Sequence, residues 1–306
     1  MFDDDPRRSS ITKRRKFDDD DPTYLKRAPR DEPEEPELDA YETELLEGGD
    51  RWSTWDQSSP LQRGPEPYPE WLVTELAAVD TELGILKTGK EADVYLVDRG
   101  IPRTDRRCLL AAKRYRSSQH RLFHRDAGYL EGRRVRESRD NRAMAKRTTV
   151  GMQMIAGQWA NAEFAALSRL YEIGVPVPYP VQILGTEVLE EFIGDHKTQE
   201  AAPRLAQLRP DTADIPDLWE QLVAATTLMA RAGFAHGDLS AYNILVQDGR
   251  LVLIDLPQIV DVVANPQGRD FLIRDAKNVA QWFGARGLDV SGDELGAELI
   301  AEANIR

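Results

Sequence analysis

Short runs of apolar residues predict β-strands early in the folded part of the chain. Three segments carry this pattern, around Ile85, from Ala92 to Val97 and from Leu109 to Tyr115. β-branched and aromatic residues in such runs favour extended backbone. A helical stripe is predicted just before them, at Trp71, Leu72, Leu76 and Val79.

Helical periodicity dominates the second half of the chain. It runs from Gln158 to Leu170 and again from Ile215 to Ala232, where Gly233 predicts a helix end. Two strand pairs with Gly-containing turns accompany these helices, Val181 to Leu184 with Glu187 to Ile193, and Val246 to Leu256. Strands that come first and helices that come later indicate an α+β fold, with a sheet-rich lobe joined to a helical lobe.

Residues 1–66 differ in composition from the rest of the chain. Asp, Glu, Arg, Lys and Pro dominate there and aliphatic residues are few. Such a segment cannot bury enough apolar surface to offset the entropy lost on ordering. We therefore expect an acidic, disordered tail over residues 1–66 and a folded domain over residues 67–306.

Charge and cysteine content narrow the class of protein. The 306 residues carry a formal net charge of -13, which argues against indiscriminate binding to nucleic acid. A single cysteine, Cys108, excludes an intramolecular disulfide and a multi-cysteine metal site. The N-terminus lacks a secretory-signal pattern, and no apolar run is long enough to cross a bilayer. These features predict a cytoplasmic protein without a membrane contact.

The strongest candidate chemistry lies in residues 236–245, HGDLSAYNIL, and in the acid that ends the following apolar run. Kinase-type phosphoryl transfer needs a carboxylate at the acceptor hydroxyl, an amide oxygen and a second carboxylate on the metal ions. Asp238, Asn243 and Asp255 supply these groups in that order, and the first two have the kinase spacing. The HGD triplet taken alone is equally typical of a helix-ending turn.

A clamp for the phosphates is expected upstream of these residues. Residues 84–90, GILKTGK, match the first seven letters of the P-loop pattern, but Glu91 stands where that pattern requires a hydroxyl for magnesium. The segment after it also continues as a predicted strand. We therefore favour a strand-loop-strand clamp over an NTPase P-loop, and an ordinary hairpin turn at Gly89 is the simpler alternative.

A buried lysine completes the constellation. Lys113 lies inside the apolar run LAAKRY, where an unpaired ammonium would be costly. Glu163, on the first substantial helix that follows, can pair with it as the strand lysine and helix glutamate of kinases do. A solvated lysine and a solvated glutamate are the alternative for each residue alone.

Taken together, these residues resemble the RIO family of atypical serine/threonine protein kinases, closest to bacterial members and to the type 1 subfamily. Residues 87–95, KTGKEADVY, are similar to the family's STGKEANVY loop. Residues 191–194 resemble its hinge, 236–245 its catalytic loop and 254–258 its metal loop. The resemblance covers roughly residues 71–283.

This resemblance implies a two-lobed protein-kinase-like fold. Its N-terminal lobe is an antiparallel sheet with one main helix over about residues 67–190. The hinge covers about residues 190–195, and a mainly helical C-terminal lobe covers about residues 196–306. ATP and Mg²⁺, or Mn²⁺, are the implied cofactors.

The resemblance also assigns roles to residues. It makes Asp238 the catalytic base, Asn243 and Asp255 metal ligands, and Asp255 a transient phosphate acceptor. The nucleotide contacts that it implies are Thr88, Gly89, Lys90, Glu91, Val94, Lys113, Glu163, and the backbone of Glu191 and Ile193. Glu190 departs from the family, which usually has Met there, so a charged group is predicted to border the adenine pocket.

The expected function is ATP- and Mg²⁺-dependent phosphoryl transfer to serine or threonine of proteins, including autophosphorylation, with ATPase activity through an aspartyl-phosphate. A small-molecule kinase of the aminoglycoside or choline phosphotransferase type shares the HGD loop but leaves residues 87–95 unexplained. A nucleotide-gated switch in ribosome assembly is a further alternative. Residues 103–147 hold 15 Arg or Lys and 5 Asp or Glu, so they are the candidate contact with RNA or the ribosome, or a solvated loop that balances the tail.

Overall fold

A computed structural model of the chain describes residues 49–116, 149–209, 214–257 and 259–305. Its largest feature is an antiparallel sheet of six strands, β1 (Arg51–Trp52), β2 (Val79–Thr88), β3 (Ala92–Gly100), β4 (Arg107–Tyr115), β5 (Pro180–Leu184) and β6 (Glu187–Glu191). Their spatial order is β1-β2-β3-β4-β6-β5. The three strands predicted around Ile85, over Ala92 to Val97 and over Leu109 to Tyr115 are confirmed.

The folded part begins earlier than the predicted residue 67. β1 pairs with the start of β2, and Trp55 is 5% exposed in the core on one face of the sheet. Gln182 of β5 donates hydrogen bonds to the side chains of Thr54 and Ser58. Composition averaged over residues 1–66 concealed this short apolar segment, so the predicted tail boundary requires correction. Residues 1–48 lie outside the described part.

The helix predicted over Trp71 to Val79 is wrong. The chain forms a turn at Trp71, and Val79 opens β2. Adjacent Leu72 and Val73 are both buried, whereas Leu76 is 77% exposed. Leu72 and Val73 pack in the core on the sheet, so contacts with the sheet, and not the helical spacing, decide the conformation of this segment.

Helix α1 (Thr149–Glu172) packs on the opposite face of the sheet. Ala160 and Phe164 of the helix meet Val188 of β6 and Tyr115 of β4 there. This helix contains the segment predicted from Gln158 to Leu170. It brings its one buried glutamate, Glu163, against the middle of the sheet.

The C-terminal lobe is mainly helical and is built on a large apolar core. Its helices are α2 (Ile215–Arg231), α3 (Gly268–Gly284) and α4 (Gly292–Glu302). Its short strands are β7 (Gly194–Asp195), β8 (Glu200–Ala201), β9 (Phe234–Ala235), β10 (Ile244–Gln247), β11 (Arg250–Leu253) and β12 (Val260–Asp261). The α+β fold with a sheet lobe and a helical lobe is confirmed.

Local sequence signals explain the ends of these elements. The Asp214 carboxylate accepts a hydrogen bond from the Asp217 N–H and caps α2. The predicted hairpin turn between β10 and β11 has φ of 50° at Asp248 and 75° at Gly249, as a two-residue type I′ turn requires. This hairpin ends just before Asp255, so the turn sets the position of the predicted metal loop.

Most of the basic stretch 103–147 lies outside the described residues, because residues 117–148 are not described. The described residues contain no helix that is both long and apolar enough to cross a bilayer.

Candidate active site

Lys113 lies at the centre of the sheet, and its ammonium is bound by two carboxylates. β4 places it opposite Val94 of β3 and Val188 of β6. Its Nζ lies 2.5 Å from Glu163 Oε1 and 3.0 Å from Asp255 Oδ1. Burial alone would lower the pKa of Lys113, but the Glu163 and then the Asp255 carboxylates raise it above its ordinary value. The predicted Lys113–Glu163 pair is therefore present, and it extends to the metal loop.

Tyr115 is a participant that the sequence reasoning missed. Its hydroxyl donates a short hydrogen bond to Glu163 Oε2, so both oxygens of this buried carboxylate are satisfied. Burial, followed by the Glu163 charge, raises the pKa of Tyr115. The available signal was the spacing, because Tyr115 lies two residues after Lys113 and therefore faces the same side of the strand.

The predicted phosphate loop is the tight turn between β2 and β3. The Gly89 N–H donates to the Ala92 carbonyl at 2.9 Å, and an added Cβ at Gly89 would lie 2.7 Å from that oxygen. Lys90 is exposed on the turn, and Val94 faces the cleft beside Lys113. A strand follows this loop directly, so the NTPase P-loop alternative, which requires a helix there, is wrong.

An ion pair holds the base of this loop. Asp93, which pairs with Thr88 across the turn, receives a hydrogen bond from Arg116 Nε at 2.7 Å. The Arg116 guanidinium lowers the pKa of Asp93, and the Arg116 N–H donates to the Glu91 carbonyl at 2.9 Å. The loop is thus fixed to the end of β4, where the undescribed basic segment begins.

The loop at residues 236–245 is held from beneath by Asp275 of α3. The Asp275 carboxylate, 3% exposed, accepts hydrogen bonds from the N–H groups of Gly237 at 2.8 Å and Leu239 at 3.0 Å. Gly237 has φ of 85°, which glycine adopts without strain. His236 Nε2 lies 3.1 Å from the Ile254 carbonyl oxygen. Asp238, between these two supported residues, is exposed.

Asn243 connects the two acidic segments. Its side-chain nitrogen donates to the Asp238 carbonyl at 2.9 Å, and its own carbonyl accepts from the Ile254 N–H at 3.0 Å. Through its side chain and its backbone, Asn243 therefore links Asp238 to the residue before Asp255. The structure thus places the three predicted residues on adjoining loops that are hydrogen-bonded to each other.

Asp255 has a left-handed backbone, with φ of 67°, which Asp tolerates better than most residues. Its Oδ2 lies 3.6 Å from Lys87 Nζ, and its Oδ1 lies against Lys113. Burial would raise the pKa of Asp255, but Lys113 and then Lys87 lower it to about 2. The carboxylate is consequently ionised at neutral pH.

The predicted hinge follows β6. The Glu191 N–H donates to the Tyr179 carbonyl at 2.8 Å, and the Ile193 carbonyl accepts from the Ala202 N–H at 3.0 Å. Glu190 pairs with Ala111 in β4, two residues from Lys113, so its side chain faces the cleft. Burial and then the Glu163 carboxylate raise the pKa of Glu190 to about 8, although Lys113 opposes this shift. The adenine contacts assigned to Glu191 and Ile193 remain predictions.

The donor set fits a magnesium nucleotide. Magnesium prefers oxygen ligands, usually one or two carboxylates completed by phosphates and water, and Asp255 with the Asn243 amide oxygen supplies that chemistry. Across the described ranges, no group of three or more His, Cys, Asp or Glu could form a complete metal site. Phosphate oxygens and water would complete the coordination of an ion held by these two residues.

Comparisons with known proteins agree with the kinase-like fold. A family model described as the RIO domain matches residues 102–295. The chain is 36% identical over 221 residues to the RIO-type serine/threonine-protein kinase Rio1 of Haloferax volcanii, covering 71% of this chain and 68% of that protein. It is 32% identical to the serine/threonine-protein kinase RIO1 of Chaetomium thermophilum, covering 72% of this chain but only 42% of that protein. The crystal structure of the Rio2 kinase from Chaetomium thermophilum shares the fold, with a TM-score of 0.50 at 21% identity, covering 71% of this chain and 63% of that chain.

Proposed function

The chain belongs to the RIO family of serine/threonine protein kinases, and we propose that it transfers the γ-phosphoryl group of ATP to serine or threonine hydroxyls of proteins, including its own. Mg²⁺ supplies charge neutralisation of the phosphates when it is bound. The small-molecule kinase alternative is not favoured, because the matched relatives are protein kinases.

The observation that best supports this proposal is the position of the Lys113 ammonium between the two lobes. One ammonium, anchored on the sheet, contacts both Glu163 of the N-terminal lobe and Asp255 of the metal loop. Active protein kinases require a lysine paired with the helix glutamate and an aspartate beside the metal ions. Here three residues that are distant in the chain meet in that arrangement.

The remaining roles follow from exposure and chemistry. Asp238, exposed at the cleft, accepts the proton of the serine or threonine hydroxyl as its oxygen attacks the γ-phosphorus. Lys113 holds the phosphates, while Glu163 and Tyr115 keep its ammonium in place. Asn243 donates to the Asp238 carbonyl and thereby maintains the position of the base.

Asp255 is also the proposed acceptor in an ATPase cycle. A carboxylate oxygen forms a bond to the γ-phosphorus as the bond from that phosphorus to the oxygen of ADP breaks. Water then attacks the phosphorus, releases orthophosphate and restores the carboxylate. The low pKa of Asp255, about 2, keeps this oxygen ionised for the attack.

The test separates the base from the binding residues. Asp238→Ala should abolish transfer to protein while it leaves nucleotide affinity nearly unchanged, because no described contact of its carboxylate supports the fold. Incorporation of label from γ-³²P-ATP and calorimetric titration of the nucleotide measure the two effects. Wild-type transfer by Asp238→Ala would refute the assignment. Acid and base stability of the label distinguishes a serine ester from an acyl phosphate on Asp255.

Two further proposals concern the setting of the enzyme. We place it in the cytoplasm, in keeping with its lack of any cysteine pair. We propose that the basic stretch 103–147 contacts ribosome or RNA phosphates. If changing Arg133, Arg134 and Arg136 together to Ala left co-sedimentation with ribosomes intact at low salt, that contact would be untenable.

A further inference from the structure

A second lysine reaches the metal loop from the sheet. Lys87, at the end of β2, places its Nζ 3.6 Å from Asp255 Oδ2, while Lys113 occupies Oδ1. Asp255 is therefore flanked by two ammonium groups, one on each oxygen. None of the roles assigned above uses Lys87, and it stands where the family loop STGKEANVY begins with Ser.

The strand register explains how Lys87 comes to face the cleft. Lys87 pairs with Val94, and Val94 pairs with Lys113 on its other side. Directly opposed residues of antiparallel strands project from the same face of a sheet. Lys87 and Lys113 therefore lie in one row across three strands, with Val94 between them.

A β-bulge creates this row. Ile85 pairs with Tyr95 and Lys87 pairs with Val94, so Leu86 is an extra residue on β2. Without it, Leu86 would pair with Val94 and Lys87 would face the opposite side of the sheet. Bulges commonly re-aim a side chain beside a functional site, and this one directs a cation at Asp255.

The two lysines differ in how firmly they are held. Lys113 has a 10% exposed side chain and two hydrogen-bonded carboxylates. The Lys87 side chain is 43% exposed, and its ion pair with Asp255 is too long for a hydrogen bond. Lys87 can therefore leave Asp255 for a stronger anion at little cost.

We propose that Lys87 is a second phosphate-binding residue, which contacts the terminal phosphoryl group of the nucleotide on the Asp255 side of the cleft. Phosphate oxygens form strong charge-assisted contacts with lysine. This inference rests on the proposed function, because it takes the nucleotide to bind with its phosphates between Lys113 and Asp255.

The experiment compares ligands with and without phosphates. The magnesium complex of the non-hydrolysable analogue AMP-PNP, and adenosine alone, are titrated calorimetrically into the full chain. Lys87→Gln should weaken AMP-PNP binding by roughly three- to tenfold, the range for one partly solvated charge contact, and leave adenosine binding unchanged. Lys87→Arg should retain most of the affinity, and raised ionic strength should weaken AMP-PNP binding less in Lys87→Gln than in wild type.

A matched control is Lys277→Gln, which removes an ammonium paired with Asp293 on the surface of the C-terminal lobe. It should bind both ligands as wild type does. Equal affinity of Lys87→Gln and wild type for AMP-PNP would overturn the inference, and so would an equal loss for AMP-PNP and adenosine, which marks a purely structural role. Failure of the wild-type chain to bind AMP-PNP would instead count against the proposed function itself.

Discussion

Replacing Lys113 by Met removes the positive charge at the centre of the site with little change in side-chain volume. The substitution leaves Glu163, 1% exposed, with the Tyr115 hydroxyl as a partner but without a counter-charge. Removing one partner of a buried ion pair costs about 3–5 kcal/mol. The lost contact with Asp255 adds less than about 1 kcal/mol, because that carboxylate is 32% exposed and partly screened.

Lys113→Met should therefore lower the free energy of unfolding by about 4 kcal/mol at pH 7, and the Tm by roughly 10 °C for a unit of this size. Urea denaturation and thermal unfolding of the full chain measure the two quantities. Phosphoryl transfer should be lost at the same time, because the phosphates lose the ammonium that holds them.

A double variant distinguishes charge from packing. Adding Glu163→Gln to Lys113→Met removes the uncompensated charge of Glu163 but keeps an acceptor for the Tyr115 hydroxyl. The double variant should be more stable than Lys113→Met alone, with a coupling energy of at least about 1.5 kcal/mol. If the losses in free energy of unfolding of the two single variants are additive, removing Lys113 does not leave an uncompensated charge on Glu163, and the electrostatic reasoning is refuted.

Two further predictions concern Glu190 and the segment before residue 67. The pKa of Glu190 is raised from 4.5 to about 8. The stability that its protonated form contributes to the folded state is therefore fully present below pH 4.5 and is lost as pH rises through 8. Glu190→Met should flatten the fall of Tm across that window, and an unchanged slope in a pH series would contradict the assignment. Trp55→Ala should cost about 3–5 kcal/mol in urea unfolding, whereas Trp52→Ala, at a 40% exposed site, should cost far less. Equally small losses of stability in the two variants would show that residues 49–66 are not part of the folded unit.

Much of the fold followed from local pattern. Short apolar runs predicted the strands that contain Ile85, Ala92–Val97 and Leu109–Tyr115, and helical spacing predicted α2 and the part of α1 from Gln158 to Leu170. These segments satisfy their own backbone preference and their burial at once, so local and global requirements agree. The prediction of a helix at Trp71 was wrong, because the burial of that segment is set by a sheet whose strands lie elsewhere in the chain.

The residues of the site also fall into those that the sequence predicted and those that only the structure identified. Asp238, Asn243 and Asp255 could be found from spacing, since kinase chemistry fixes the residue types and the short interval between the first two. Tyr115 and Lys87 could not be found by motif, because their roles depend on which face of a strand they occupy. For Lys87 that face is decided by the bulge at Leu86, which single-strand alternation does not reveal.

The sequence by itself therefore determined the chemical groups, the order of the elements and the family resemblance, all of which are encoded in neighbouring residues. Only the tertiary structure decided that Trp55 joins the core and that two ammonium groups converge on Asp255. Those contacts join positions far apart in the chain, and their geometry depends on strand register and on packing between the sheet and the helical lobe.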